Sequence, residues 1–69
     1  MTALKERVAL ARAAGETIML STYNRSFSVT DIIHESPQQG VCVQAGRGQF
    51  WLTRTDLKHL KATLTARGF

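Results

Sequence analysis

The chain has 69 residues, 43% of them hydrophobic, with one proline and a formal net charge of +4. That length holds one small domain, residues 1–69, and the hydrophobic share excludes a disordered chain. The lone cysteine, Cys42, excludes a disulfide scaffold, and Arg12, Glu16 and Asp31 interrupt the apolar stretches, which excludes a membrane-spanning helix.

The first element read from the sequence is a helix over TALKERVALARAAG. Thr2 is the expected N-cap, the alanines and leucines favour helix, and Gly15 provides the stop. At about 100° per residue Leu4, Val8 and Ala11 share a face, with Leu10 and Ala14 to one side. This short stripe suits a helix laid against a sheet.

In ETIMLSTYNRSFSVTDII the period changes to two. A two-residue turn at Asn24-Arg25 pairs Thr22 with Phe27, Leu20 with Val29 and Ile18 with Asp31, because asparagine tolerates the positive φ of tight hairpin turns. Ile18, Leu20, Phe27 and Val29 then share one face, and Met19, Ser21, Tyr23, Ser28 and Thr30 the other. SVTD has the form of a capping box, and Val29, Ile32 and Ile33 sit at helical spacing, so a helix competes here. The β-branched residues favour the strand.

ESPQQG, with the only proline and a glycine, marks a turn. A second hairpin follows in GVCVQAGRGQFWLT. An even loop, either Arg47-Gly48 or Gly46 to Gln49, aligns Val43 with Leu52 and Ala45 with Phe50. It collects Val41, Val43, Ala45, Phe50 and Leu52 on one face and puts Trp51 on the other, beside Cys42 and Gln44. A three-residue loop at 46–48 would set Val43 opposite Trp51 and divide the apolar set, since a slip of one residue reverses every side chain.

TRTDLKHLKATLTARGF reads as the closing helix, capped by Thr53 or Thr55, with Asp56 in the first turn and Arg67-Gly68 at the end. Leu57, Leu60 and Leu64 make the buried stripe. Arg54, Lys58 and Lys61, at i, i+4 and i+7, fall within about 60° of one another and form a basic edge beside it. The expected fold is therefore α+β: an N-terminal helix, a four-stranded antiparallel sheet of two hairpins, and a C-terminal helix.

The charge is uneven. Residues 1–35 are balanced at four basic and four acidic, whereas residues 36–69 carry Arg47, Arg54, Lys58, Lys61 and Arg67 against Asp56 alone. Such asymmetry suits an anionic partner. Catalytic chemistry has little to stand on. Cys42, His34 and His59 lie in three separate elements without metal-ligand spacing, so no catalytic, metal or cofactor site is expected. GRG is too short to cradle a phosphate and is more simply a turn, and Asp31 and Glu35 have no evident pocket to work in.

Two surfaces are candidates for binding. One is the row Arg54, Lys58, Lys61, read as a phosphate-contacting edge, against a plain solvated flank as the simpler alternative. The other is the second sheet face, where Met19, Tyr23, Cys42 and Trp51 gather and Arg25 and Arg47 flank them at the turns. Trp51 and Tyr23 there would stack on bases or fill a partner's pocket, unless the N-terminal helix covers the face or a homodimer packs through it.

The ending FWLTRTDLKHLKATL resembles those of short phage and mobile-element accessory proteins, over the last third of the chain. The resemblance implies binding of host protein or nucleic acid rather than catalysis and assigns no residue a role. With no secretory leader pattern, the expectation is a cytoplasmic, non-enzymatic binding protein with no membrane association. Its basic surface is directed at nucleic acid or a nucleic-acid-associated protein, and the alternative is an inhibitor or adaptor using the Trp51 face or a strand edge.

Overall fold

The computed structural model describes residues 3–22 and 25–69, and the side chains of 3–21 and 26–69. Its elements are α1 (Leu4–Ala13), β1 (Ile18–Thr22), β2 (Arg25–Ser36), β3 (Gly40–Ala45), β4 (Gly48–Trp51) and α2 (Arg54–Ala66). The strands form one antiparallel sheet in the order β1-β2-β3-β4, so the α+β fold expected from the sequence is the one observed.

Both helices stop in the same way. Gly15 and Gly68, at φ of 83° and 86°, follow the last turns. Behind them Glu16 N–H donates to Ala11 O at 3.0 Å and Phe69 N–H to Leu64 O at 2.8 Å, the long closing bond of a Schellman motif. At its start α1 has Ala3 in the cap position, with no side-chain bond, and the Thr2 cap lies outside the described residues. In α2, Thr53 is the cap. Its hydroxyl accepts from Asp56 N–H at 3.2 Å while Asp56 Oδ2 accepts from Thr53 N–H at 3.3 Å, a reciprocal capping box.

Each predicted register is two residues out, and each predicted face is right. β1 and β2 pair Ile18 with Val29, Leu20 with Phe27 and Thr22 with Arg25. Arg25 is thus a strand residue and not half of an Asn24-Arg25 turn; Tyr23 and Asn24, between the strands, lie outside the described residues. β3 and β4 pair Val43 with Phe50 and Cys42 with Trp51, and Gly46-Arg47 forms the turn. Gly46, at φ 56°, satisfies the positive φ that two-residue hairpin turns need at their first position. A two-residue slip keeps every side chain on its side of the sheet.

β2 is the strand that organises the sheet. Its first half pairs with β1 and the stretch from Val29 onward with β3, so its two neighbours overlap only near Val29. The β2–β3 ladder shifts between Val29 and Asp31 and again between Ile32 and His34, which makes Thr30 and Ile33 the extra residues of two bulges. The first bulge is held by Thr30 Oγ1 donating to Gln44 O at 3.1 Å and by Ile32 N–H donating to Asp31 Oδ1 at 2.8 Å. It explains the helix-like spacing of Val29 and Ile32: with one residue added to the strand, positions three apart face the same way. Both are buried, at 0% and 1% exposed, in an extended strand.

The two helices lie on that inner face. Leu4, Val8 and Ala11 of α1 and Leu60 and Leu64 of α2 share one buried cluster with Ile18, Leu20, Val29, Ile32, Val41 and Val43, and Phe27, Phe50, Leu52, Leu57 and Phe69 pack partly buried around it. Polar contacts fasten the layer. Lys5 Nζ donates to Ile32 O at 2.9 Å, where β2 runs beyond the end of β1. Arg67 Nη1 reaches Glu16 Oε2 at 3.0 Å and Thr17 O at 2.6 Å, and Arg7 Nε reaches Phe69 O at 2.8 Å.

Candidate functional site

With both helices on the inner face, no element among the described residues covers the outer face of the sheet. Neither helix covers Trp51, which is 57% exposed; Met19 and Ile33 on the same face are 47% and 44% exposed. Trp51 stands at the end of a cross-strand row. Cys42 pairs with Trp51 on one side and with His34 on the other, and the His34 and Trp51 rings meet edge to face at a centroid distance of 5.7 Å. That contact explains why Cys42 is only 7% exposed on an otherwise open surface: the two flanking side chains close over its short thiol. The next row carries Asp31, Gln44 and Gln49. Gln49 Nε2 donates to Gln44 Oε1 at 3.3 Å, and Gln44 Nε2 to Gly46 O at 3.0 Å.

Met19 shares the expected outer face with Trp51 but not its row. Met19 pairs with Ser28, six positions along β2 from His34, because β1 and β3 flank different halves of that strand. Tyr23 and the Arg25 side chain lie outside what is described. Arg47 occupies the β3–β4 turn, exposed, as expected.

The basic row is on the other side of the molecule. Arg54, Lys58 and Lys61 are all exposed on α2 while Leu60 and Leu64 are 0% exposed, so the row follows the solvent side of a helix whose inner side is the core. Among the described residues none of the three side chains has a hydrogen bond or ion pair; the ion pairs are Lys5–Asp31 at 3.5 Å and Arg67–Glu16 at 3.0 Å. Asp56, the one carboxylate on α2, is 8% exposed and held in the capping box, so it does not offset the row. The sheet separates the two candidate surfaces, which approach each other only where Arg54 follows Trp51 by three residues.

His34, weighed from the sequence only as a ligand or catalytic candidate, is the residue that joins Trp51 on the outer face. Pro37, Gln38 and Gln39 form a turn closed by Gln39 N–H donating to Ser36 Oγ at 2.9 Å, with Gly40 at φ 90°. Counting back from the resulting Ser36–Gly40 pair puts His34 opposite Cys42, and so one strand from Trp51. Among the described residues no helix is long and apolar enough to cross a membrane, and no group of three or more His, Cys, Asp or Glu side chains converges to hold a metal ion. Compared with family models, curated proteins and solved structures, the chain matches none.

Proposed function

We propose that this protein is a non-enzymatic binding module whose C-terminal helix contacts the phosphates of a nucleic acid. The observation that carries the reading is the unopposed row of Arg54, Lys58 and Lys61 on the solvent side of α2, with the helix's own carboxylate, Asp56, turned into the cap. Three cations along one helix flank match a line of phosphates, and this contact fixes position without reading sequence. It accords with a cytoplasmic accessory factor of the phage or mobile-element kind.

The test is titration of a labelled duplex at several salt concentrations. Each phosphate contact displaces a condensed counterion, so the three together contribute about −3 to the log–log salt slope. Replacing all three residues with glutamine is expected to flatten the slope by that amount. Binding no tighter than about 100 μM at physiological salt, weaker than ordinary non-specific contact, overturns the reading. A second reading, an inhibitor or adaptor that binds protein, is favoured by the bare outer face around Trp51 and by β4 at the edge of the sheet. An aromatic-anchored protein interface depends far less on salt, which separates the two.

A further inference from the structure

We infer that the outer face of the sheet is a stacking platform for single-stranded nucleic acid, distinct from the phosphate-contacting row on α2. The inference rests on the nucleic-acid reading above and names a second surface and the form of nucleic acid it takes. Bases in a duplex are already stacked on one another, so a protein ring can stack only on bases that are unpaired. A ring that is to do so must be exposed, held in place and free on one side. Trp51 meets all three conditions. It is 57% exposed, it sits on a strand and not a loop, and His34 braces it edge to face at 66° between ring planes, which keeps it upright without covering it in parallel.

The surroundings suit a base rather than an apolar side chain. One row along the strands, at a distance of roughly 7 Å for a two-residue step, lie the Gln44 and Gln49 amides. Among the described residues their hydrogen bonds use one hydrogen of each Nε2 and the Gln44 oxygen, which leaves Gln49 Oε1 and the second hydrogen of each amide for a base edge. The charge is also complementary to a polyanion. The one carboxylate in these rows, Asp31, accepts from Ile32 N–H and lies 3.5 Å from Lys5 Nζ, while Arg47 and Arg54 stand just beyond the two ends of β4. A protein partner seeking a dry patch would meet amides beside the tryptophan; of the other exposed apolar residues on this face, Met19 is in a separate row at the far half of β2 and Ile33 stands alone next to His34.

The test uses the intrinsic emission of Trp51, the only tryptophan, with unlabelled oligothymidylate and oligouridylate of about 12 nucleotides, within the range of sites seen for single-strand binders, alongside a duplex. Single strands are expected to quench the emission, and Trp51→Ala, followed by fluorescence anisotropy of a dye-labelled strand, to bind about 10- to 100-fold more weakly. Duplex affinity and the salt slope stay as in the parent protein, and Trp51→Phe retains part of the affinity because a ring remains. Circular dichroism confirms that the variants are folded. If the duplex binds through Arg54, Lys58 and Lys61 while single strands neither quench Trp51 nor lose affinity in Trp51→Ala, the platform is overturned and the phosphate-contacting row stands. If neither form binds, both fall. A dimer in sedimentation that Trp51→Ala turns into a monomer would give the face to a second copy of the chain and overturn the platform as well.

Discussion

On the inner face of the sheet Ile18, Leu20, Val29, Ile32 and Val43 are each 2% exposed or less, whereas on the outer face Met19, Ile33 and Trp51 are between 44% and 57% exposed. The same four strands build both faces. The difference is that both helices are on one side, so the apolar burial that stabilises the fold is concentrated there. A domain of this size draws only about 3–5 kcal/mol from such a core. The outer face contributes little to that total and can vary in sequence at small cost in stability. Adjacent residues make the point most directly. Ile32 and Ile33 have the same side chain, yet one is 1% exposed and its neighbour, facing the other side of the strand, is 44% exposed.

The comparison breaks most visibly at Ile32. Ile32→Ala removes buried methylenes from the core on the strand that α1 packs against and is expected to cost about 2–5 kcal/mol, most of what the domain has. Urea denaturation followed by circular dichroism should show a midpoint near zero denaturant or an unfolded chain. A loss below about 1 kcal/mol, the scale of a surface change, would mean that Ile32 is not where the cluster is anchored.

A smaller effect sharpens the role of the helices that cover the inner face. Thr53→Ala removes half of the capping box that starts α2 and is expected to cost about 1 kcal/mol. It lowers the denaturation midpoint while leaving the tryptophan emission as it was, because the cap is on the helix side and Trp51 projects to the other. Thr55→Ala, two residues later, should cost less, since the cap bond belongs to Thr53.

Much of this contrast could be read from the residues. Alternation in Ile18, Leu20, Phe27 and Val29, and again in Val43, Ala45 and Phe50, fixes which side of each hairpin is apolar, and it does so whether or not the turn is placed correctly. Turn placement depends on which of several permissive residues takes the positive φ, and Gly46, Gly48 and Asn24 all qualify by type; hence both registers were two residues out and both faces right. The bulges were not legible. Thr30 and Ile33 are ordinary strand residues, and adding one residue to β2 turns a period of two into a spacing of three that looks helical. For the candidate site, the i, i+4, i+7 row on α2 needed only helix geometry and was visible. His34 beside Trp51 needed two registers at once, that of the turn at Pro37–Gln39 and that of the turn at Gly46-Arg47, and the second was placed two residues away.

The next expected effect is close to zero and tests the outer face at the bulge. Ile33→Ala truncates a side chain that is already 44% exposed, and a change of this kind away from the core stays within about 0.5 kcal/mol. Measured beside Ile32→Ala under the same conditions, the pair gives the stability difference between the two faces at one position of one strand. Equal losses would mean that Ile33 does not stand outside the core.

The change in stability expected for Trp51→Ala is small for so large a side chain, and the reason lies in what the ring touches. Trp51 is the largest side chain on the sheet, and in a core its truncation would cost about 3–5 kcal/mol. Here it contacts the edge of the exposed His34 ring and shields the Cys42 thiol, and no helix packs against it. The loss is therefore that of one surface aromatic contact, about 0.5–1.5 kcal/mol, with little or no cavity left behind. The same placement predicts the parent protein's spectrum: a red-shifted emission that acrylamide quenches readily, because water reaches more than half of the side chain. A blue, protected emission would show the face covered in solution. If that protection disappeared on dilution, a second copy would be the cover, and the stability that Trp51→Ala removes would then grow with protein concentration, as it must when folding is linked to association.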